Sequence, residues 1–442
     1  MIKKIQIELS IFALLLISVL FTYKTDVSFY NFFSKLNYGY GSVYLKKFFV
    51  GITDLGDSFW YYLIFLLVFL FSYLTKKTNI LSLSNYSYLK KFTFFGFFYL
   101  LLVGVITQII KHLVGRARPN HTSLDGGFEF NFFTTESAFH SFPSGHSSTI
   151  IAVTLIASLA IPRLRYFFYI CGLLIALSRV VVGAHFITDV LAGTLIAIIV
   201  YKALDFFVKK KHPNIYWNNL EIHNISHLTN ITIVFLILAI FITVGPELDI
   251  YISSIFYYGN NQFMVQKYYL ISIIFRKILL PLLLIYIFVF PIVSKLLPIQ
   301  KIYFGYKFSF SEIFFVWLSG IVTMVLMVNI LLKHLWGRAR PNDILPFGGV
   351  ENFTPWYKLG NSCLSNCSFV SGDASVGFLL VVFYFITKKN IYLYLSIVLG
   401  SMLGVIRIIA GGHFFSDIVF SQIIVTASIL VFFVLYKKLY DK

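Results

Sequence analysis

The sequence predicts an all-α integral membrane protein of about twelve transmembrane helices, arranged as two six-helix repeats. Its composition is the first indication, because 58% of the residues are hydrophobic and only 12% are charged, whereas soluble domains have roughly 25% charged residues. Long apolar segments recur along the whole chain, and stretches of about 18 apolar residues are typical of membrane-spanning helices. A ten-residue block that occurs once in each half indicates a duplication.

Six apolar segments in each half are the predicted spans. In the first half they lie near residues 8–23, 58–74, 92–110, 147–161, 166–183 and 187–207. In the second half they lie near residues 229–245, 278–294, 312–332, 374–387, 391–406 and 415–436. Two lysines precede the first segment and no small-residue cleavage site follows it, so we expect an uncleaved first span rather than a signal peptide.

The repeated block divides the chain into two domains. KHLVGRARPN at residues 111–120 recurs as KHLWGRARPN at residues 333–342, with nine of ten residues identical. Farther along, an Arg, a His and an Asp recur at the same spacing, each 228 residues after its first copy (407 − 179 = 228). We therefore predict a first domain over residues 1–212, a linker over 213–228 and a second domain over 229–442.

The formal charge of +18 comes mostly from basic residues in short loops between the predicted spans, as the positive-inside rule describes. We therefore expect no nucleic-acid partner, although such a charge would suggest one in a soluble protein. The placement of the loop charges predicts cytoplasmic termini. Because each repeat has an even number of spans, both copies are expected to run in the same direction and to present their motifs on the outer face.

Three clusters of polar residues stand at the outer ends of the predicted spans in the first half. Lys and Arg side chains are strong donors to phosphate oxygens, and a Ser-Gly turn that opens a helix offers free backbone N–H groups to an anion. Two histidines can divide the chemistry, one attacking phosphorus and the other protonating the leaving oxygen. An aspartate four residues after the second histidine can orient it. The candidates are Lys111, Arg118, Ser144, Gly145, His146, Arg179, His185 and Asp189.

Other residues keep more than one interpretation. No set of Cys and His with metal-ligand spacing is apparent, so we expect no metal and no other cofactor. The second arginine of each repeated block, Arg116 or Arg338, has an open role, and an outer-rim contact to a lipid head group is one candidate. Cys363 and Cys367 share a loop predicted on the outer side, where they can be either bridged or free.

The pattern K-x6-RP, PSGH and SR-x5-H-x3-D of the first half resembles that of the phosphatidic acid phosphatase type 2 superfamily, whose core is haloperoxidase-like. The matching segments run from Lys111 to Pro119, from Pro143 to His146 and from Ser178 to Asp189. The resemblance implies no metal. It implies that His185 is a nucleophile that forms a phosphohistidine, oriented by Asp189, with His146 as general acid. It also implies a phosphate site made by Lys111, Arg118, Arg179, Ser144 and Gly145.

The second half departs from this pattern at the middle motif. Its segment reads Val370-Ser371-Gly372-Asp373, so an aspartate replaces the acid histidine, and aspartate is a poor proton donor at neutral pH. Two interpretations stay open: a site restricted to good leaving groups, such as a lipid pyrophosphate or anomeric phosphate, or a site that binds phosphate without turnover. The other candidates, matched to the first half, are Lys333, Arg340, Arg407, His413 and Asp417.

The second half is similar to a bacterial subgroup related to lipid A 1-phosphatases, and the first half is closer to undecaprenyl pyrophosphate phosphatases. This implies hydrolysis of a lipid phosphate (polyprenyl pyrophosphate, lipid A or phosphatidylglycerol phosphate) at the outer face of the bacterial inner membrane. The expected partners are that phosphorylated lipid and the bilayer. Two alternatives stay open: a lipid phosphotransferase with the same intermediate, and a transporter or phosphate-binding membrane protein. Transporters place their sites near the bilayer midplane, whereas these motifs lie at span ends.

Overall fold

The chain forms two compact units, Met1–Ile225 and Ser226–Lys442. A computed structural model describes residues 23–35, 41–77, 83–121, 129–211, 227–260, 262–264, 269–296, 306–363 and 366–440. The predicted first span and most of the predicted linker lie outside these residues. The boundary between the two units falls inside that predicted linker.

The first unit is helical in the residues that the structure describes. Its most buried helix is α5, in which Ile150, Ile151 and Ala152 lie away from the surface. This helix packs against α4, α6 and α7, and a helix that is apolar all round is expected at such a central position. The helices are α1 Tyr23–Ser34, α2 Ser42–Ile52, α3 Ser58–Lys77, α4 Leu83–Val114, α5 Gly145–Ala160, α6 Arg165–Val181 and α7 Ile187–Lys211.

The last four helices of the second unit, α11 to α14, follow one another as α4 to α7 do in the first unit, with α12 in the place of α5. Around α12 lies a continuous apolar core that includes Phe378, Phe383 and Leu403. A short antiparallel hairpin, β1 Tyr257–Gly259 and β2 Gln262–Phe263, adds a small sheet that the sequence did not predict. The helices are α8 His227–Val244, α9 Glu247–Ser254, α10 Ile274–Leu296, α11 Phe310–Leu335, α12 Gly372–Thr387, α13 Asn390–Ile409 and α14 Phe415–Tyr440.

The helices confirm the predicted membrane architecture. Among the described residues, eight helices are long and apolar enough to cross a bilayer, and the pair Ser42–Gly56 and Ser58–Leu70, bent by 47°, adds a ninth. Helices α5 and α12 are apolar but shorter. The 16 residues of α5 reach about 24 Å, which is less than the roughly 30 Å hydrocarbon layer. The eight long helices, the bent pair and the two shorter helices together account for eleven of the twelve predicted spans.

The repeated block forms the end of a long helix and the turn after it in both units. Gly115 and Gly337 have φ values of +56° and +65°, the left-handed conformation in which glycine commonly ends helices. A Cβ on Gly115 would lie 1.6 Å from the carbonyl oxygen of Asn131, and one on Gly337 would lie 1.8 Å from that of Gly360. Only glycine therefore fits, and the tight turn carries the following arginine into the interior.

Candidate active sites

Three cations of the first unit lie close together. Lys111 Nζ donates to the carbonyl oxygen of His140 at 2.7 Å, and Arg118 Nε donates to that of Ser137 at 3.0 Å. Arg179, at the end of α6, donates from Nη1 to Thr53 Oγ1 at 2.8 Å. The three charges are close enough to repel one another. Each side chain keeps further N–H donors, which suits them to hold a phosphate.

The loop between α6 and α7 places the candidate nucleophile beside these cations. His185 is buried, and its Nδ1 lies 3.7 Å from Asp189 Oδ2. That separation is an ion-pair distance and too long for a hydrogen bond. Burial lowers the pKa of His185 to about 3, and the Lys111 and Arg179 cations act in the same direction, while Asp189 opposes them. The imidazole is therefore neutral at physiological pH, as an attacking nitrogen must be.

The middle motif opens α5 beside this histidine. Ser144 caps the helix by accepting from the Ser147 N–H at 3.4 Å, and the Ser144 N–H donates to the carbonyl oxygen of Asp189 at 2.9 Å. A Cβ on Gly145 would lie 3.7 Å from Lys111 Cε, so the lysine stem passes over the start of the helix. The three motifs predicted to converge therefore do meet in one place.

His146, the next residue, borders a cavity of about 540 Å³. Asp57 and Ser58 line its polar end, and the cavity continues between α3 and α4. Its lining also includes apolar residues of α4 that are partly exposed. These are Leu101, Val105 and Ile109, whose exposed fractions are 38%, 46% and 54%.

Arg116 lies beneath the site, not at its rim. It is 4% exposed, and its guanidinium joins two carboxylates, with Nη1 2.7 Å from Asp189 Oδ1 and Nη2 2.9 Å from Asp26 Oδ2. Asp26 also accepts from the backbone N–H and the hydroxyl of Thr188. The interpretation of Arg116 as a head-group contact is wrong, because the tight turn after Gly115 directs this side chain inward.

The second unit contains the same buried network. Arg338 is fully buried, with Nη1 2.6 Å from Asp417 Oδ1 and Nη2 2.7 Å from Asp249 Oδ2. The head-group interpretation is therefore wrong for Arg338 as well. Asp26 and Asp249 were not predicted as site residues. Their equivalent positions in the two halves (249 − 26 = 223) were a readable signal, as was the presence of this arginine in both copies of the block.

His413 occupies the nucleophile position of the second unit. Its Nδ1 lies 2.6 Å from the carbonyl oxygen of Ser368 and 3.5 Å from Asp417 Oδ2. A carbonyl oxygen can only accept a hydrogen bond, so Nδ1 carries the proton and Nε2 keeps its lone pair. Burial lowers the pKa of His413 to about 4, with Asp417 opposing and Arg407 and Lys333 adding to the effect. This imidazole is also neutral at physiological pH.

A disulfide-closed loop holds two cations of the second site. Cys363 and Cys367 are bridged, which resolves the alternative left open by the sequence. Within that loop, Asn366 accepts from Lys333 Nζ through Oδ1 at 3.4 Å and from Arg340 Nη2 through its carbonyl oxygen at 2.7 Å. The Lys333 ammonium also lies against the start of α12, because a Cβ on Gly372 would come within 2.9 Å of Nζ.

Asp373, the residue that replaces the acid histidine, lies between two arginines. Its Oδ2 is 3.0 Å from Arg276 Nε and 3.5 Å from Arg407 Nε. Ser371 caps α12 by accepting from the Ala374 N–H at 3.4 Å, as Ser144 caps α5. Arg276 was not among the predicted site residues. Its signal was a basic residue on the predicted outer side, where the positive-inside rule disfavours one.

Helical membrane architecture together with a neutral histidine among cations defines a class of protein, the membrane-embedded phosphoric ester hydrolases. The model of the PAP2 superfamily matches residues 92–212 and 314–441, which is more than half of the chain. The chain therefore belongs to the PAP2 superfamily, with one domain in each half. The resemblance predicted from the motifs is confirmed.

Similar proteins with curated functions are lipid phosphatases. A lipid A 1-phosphatase of Rhizobium johnstonii is 38% identical over 147 residues, which are 32% of this chain and 59% of that protein. A lipid A 4'-phosphatase of Francisella tularensis subsp. novicida is 33% identical over 206 residues, 45% of this chain and 91% of that protein. Phosphatidylglycerophosphatase B of Bacillus subtilis is 29% identical over 181 residues, 38% of this chain and 77% of that protein. The predicted relation to the lipid A phosphatase subgroup is confirmed.

Proposed function

We propose that this chain hydrolyses a phosphomonoester or pyrophosphate of a membrane lipid through a phosphohistidine on His185, and through a second one on His413. The observation that carries the proposal is the neutral, buried histidine of each unit. Each one is flanked by cations that can hold a phosphate and by a carboxylate at its Nδ1 side. Such a site stabilises negative charge on the transferred phosphoryl group and presents a nitrogen lone pair to it.

In the first unit the reaction takes two displacements. Nε2 of His185 attacks phosphorus, the bond from phosphorus to the lipid oxygen breaks, and that oxygen takes a proton from His146, which is protonated once the phosphate dianion is bound beside it. Water then gives a proton to His146 and attacks the same phosphorus, so that the N–P bond breaks and inorganic phosphate leaves. Asp189 stabilises the imidazolium character that develops on His185 in both steps.

The cations of each site take the place that a metal ion occupies in many phosphatases. In the first unit these are Lys111, Arg118 and Arg179, and in the second unit Lys333, Arg340 and Arg407. The proposed reaction therefore needs no metal. Phosphate release by the purified protein is expected to continue in excess EDTA.

The cavity beside His146 supports a lipid substrate. It joins a polar end, next to the catalytic residues, to an apolar end that faces the membrane through α4. A phosphorylated lipid has the same two parts. The curated relatives favour lipid A as the substrate class, and polyprenyl pyrophosphate and phosphatidylglycerol phosphate belong in the same test panel.

We place the protein in the bacterial inner membrane with both termini in the cytoplasm and both sites facing outward. The support is the distribution of Lys and Arg among the loops. A fluorescent protein that folds only in the cytoplasm, fused after Lys442, is expected to fluoresce. An alkaline phosphatase fused there, which is active only outside, is expected to be inactive; the reverse pattern would refute the orientation.

The test of function is phosphate release from the lipid panel in EDTA by the parent protein, His185→Ala, His413→Ala and the double variant. We expect the double variant to release no phosphate and each single variant to retain part of the parent's activity. If His185→Ala abolishes phosphate release while His413→Ala leaves it unchanged, the second unit is an accessory that binds phosphate. Release that survives in the double variant would refute the phosphohistidine mechanism, and dependence on an added acceptor would indicate a phosphotransferase.

A further inference from the structure

The residue after the Ser-Gly turn has opposite surroundings in the two sites. In the first unit it is His146, which shares its cavity with the acid Asp57. In the second unit it is the acid Asp373, which contacts the base Arg276 through a 3.0 Å bond from Nε. The unit in which aspartate replaces the proton-donating histidine is therefore also the one in which a cation, Arg276, contacts this position.

Resting on the proposed function, we propose that Arg276 is the fourth substrate-contacting cation of the second site and stabilises the departing anion there. Asp373 is a positioning residue that holds Arg276 and Arg407 in place. Arginine stays protonated, so it does not donate a proton to the leaving oxygen. It instead stabilises negative charge that develops on that oxygen.

The geometry of Arg276 suits this role. It stands near the outer end of α10, and its side chain is 47% exposed, whereas that of Arg407 is 8% exposed. Asp373 engages only Nε of Arg276. Both Nη nitrogens are therefore left for a ligand as far as the described residues extend. A guanidinium whose Nε is held and whose two Nη groups are open can donate two hydrogen bonds to phosphate oxygens.

The substrate class follows from the missing proton. The second site acts on a phosphate whose leaving oxygen departs as a stable anion, such as a lipid pyrophosphate or an anomeric phosphate. In the step, Nε2 of His413 forms the bond to phosphorus and the leaving oxygen keeps the electron pair of the broken P–O bond. No proton is transferred at that moment. The first site, with His146, also accepts ordinary alkyl phosphates.

The test uses full-length protein with His185→Ala, so that only the second site turns over. The variants are Arg276→Gln, Arg276→Lys and Asp373→Asn, with Lys277→Gln as the matched control on the same exposed helix end. The substrates are p-nitrophenyl phosphate, phenyl phosphate, farnesyl pyrophosphate, glucose 1-phosphate carrying a lipid tail, and dodecyl phosphate. Comparison of farnesyl pyrophosphate with the lipid-linked glucose 1-phosphate distinguishes a pyrophosphate substrate from an anomeric phosphate.

We expect Arg276→Gln to lower kcat/KM by about 10²- to 10³-fold, the usual effect of removing one transition-state donor. The loss should be larger for phenyl than for p-nitrophenyl phosphate, because the poorer leaving group needs more stabilisation. Arg276→Lys should retain part of the rate and Lys277→Gln all of it. An equal loss on every substrate would mean a structural role and overturn the proposal. If the fall in rate at alkaline pH disappears in Asp373→Asn, Asp373 is the general acid, and the proposal is also overturned.

Binding of orthovanadate separates this proposal from the proposed function. If the second site does not turn over, hydrolysis at that site is wrong, but Arg276 is still expected to contact the anion. In that case Arg276→Gln should weaken vanadate binding by about tenfold relative to Lys277→Gln, the equivalent of about 1.4 kcal/mol. Unchanged binding would overturn the role of Arg276.

Discussion

Arg338 has no exposed surface, and its guanidinium lies between two buried carboxylates of the second unit and pairs with both. Its planar fork lets one nitrogen contact Asp417 while another contacts Asp249, a geometry that lysine lacks. The pairing keeps Asp417 ionised beside His413. A single buried cation therefore links α9, through Asp249, to the carboxylate beside His413, the proposed nucleophile.

Replacing Arg338 with methionine should be strongly destabilising. It would leave Asp249 and Asp417 buried without their cation, and breaking a buried ion pair on one side costs about 3–5 kcal/mol. We expect a large fall in Tm in detergent and loss of release at the second site. Arg165→Gln, an exposed arginine, should stay within about 0.5 kcal/mol of the parent. Adding Asp249→Asn to Arg338→Met should recover part of the loss; no recovery would contradict this account.

The buried histidines predict an unusual dependence on pH. Burial lowers the pKa of His185 to about 3 and that of His413 to about 4, so the attacking neutral form persists as the pH falls through 6.5, the ordinary range of histidine. Phosphoenzyme formation from p-nitrophenyl phosphate should lose its rate only below about pH 5. Measurement by rapid quench in each single His→Ala variant isolates one nucleophile. An acidic limb centred near pH 6.5 would refute a neutral buried nucleophile.

Helix ends, rather than helix middles, carry the chemistry of this protein. The turn at Gly115 ends α4 and sends Arg116 inward, the Ser144 cap begins α5, and the loop after α6 supplies His185. Apolar spans fix where these ends lie, because each span must bury its middle in lipid. The residues of the proposed active site are thereby held at the ends of rigid helices.

Gly115→Ala tests the importance of one such helix end. The new Cβ would lie 1.6 Å from the carbonyl oxygen of Asn131 in a left-handed backbone, so the turn would have to move. We expect a loss of stability above about 1 kcal/mol and at least a tenfold fall in activity of the first site. Leu113→Ala, at a 46% exposed position two residues earlier in the same helix, should stay within about 0.5 kcal/mol of the parent. Equal effects of the two substitutions would contradict the role given to the turn.

Hydropathy and the repeated block predicted the helices and the three motifs well, because both signals are local in sequence. The partners of the motif residues were harder to predict. Asp26 lies 90 residues from Arg116, and Arg276 lies 97 residues from Asp373, so no spacing rule connects them. The internal repeat could have identified Asp26 and Asp249, whereas Arg276 has no counterpart that sequence alone would reveal. The β1–β2 hairpin is too short for its alternation to stand out.

At the scale of the whole molecule, the same buried ion network occurs once in each unit, among the residues that the structure describes. The Asp26–Arg116–Asp189 network lies entirely in the first unit, and its copy around Arg338 lies entirely in the second. The buried ion network recurs in both units, whereas the residue after the Ser-Gly turn is His146 in one and Asp373 in the other.

This independence predicts additive rates. For any one lipid, the rates of His185→Ala and His413→Ala should sum to that of the parent, because the described contacts of each histidine involve residues of its own unit. The measurement is initial phosphate release at equal protein concentration with one pure lipid. A parent rate well above the sum would mean that the two sites act on the same molecule in succession.

The cavity that runs from His146 to the membrane-facing side of α4 has a kinetic consequence. Leu101, Val105 and Ile109 are partly exposed there, and under the proposed function the lipid substrate reaches the site from the bilayer. The relevant concentration is then two-dimensional: the mole fraction of the phosphorylated lipid among its neighbours, not its amount per litre. Diluting the substrate with inert detergent at constant bulk concentration should slow the first site, and every neighbouring lipid that enters the cavity acts as a competitor.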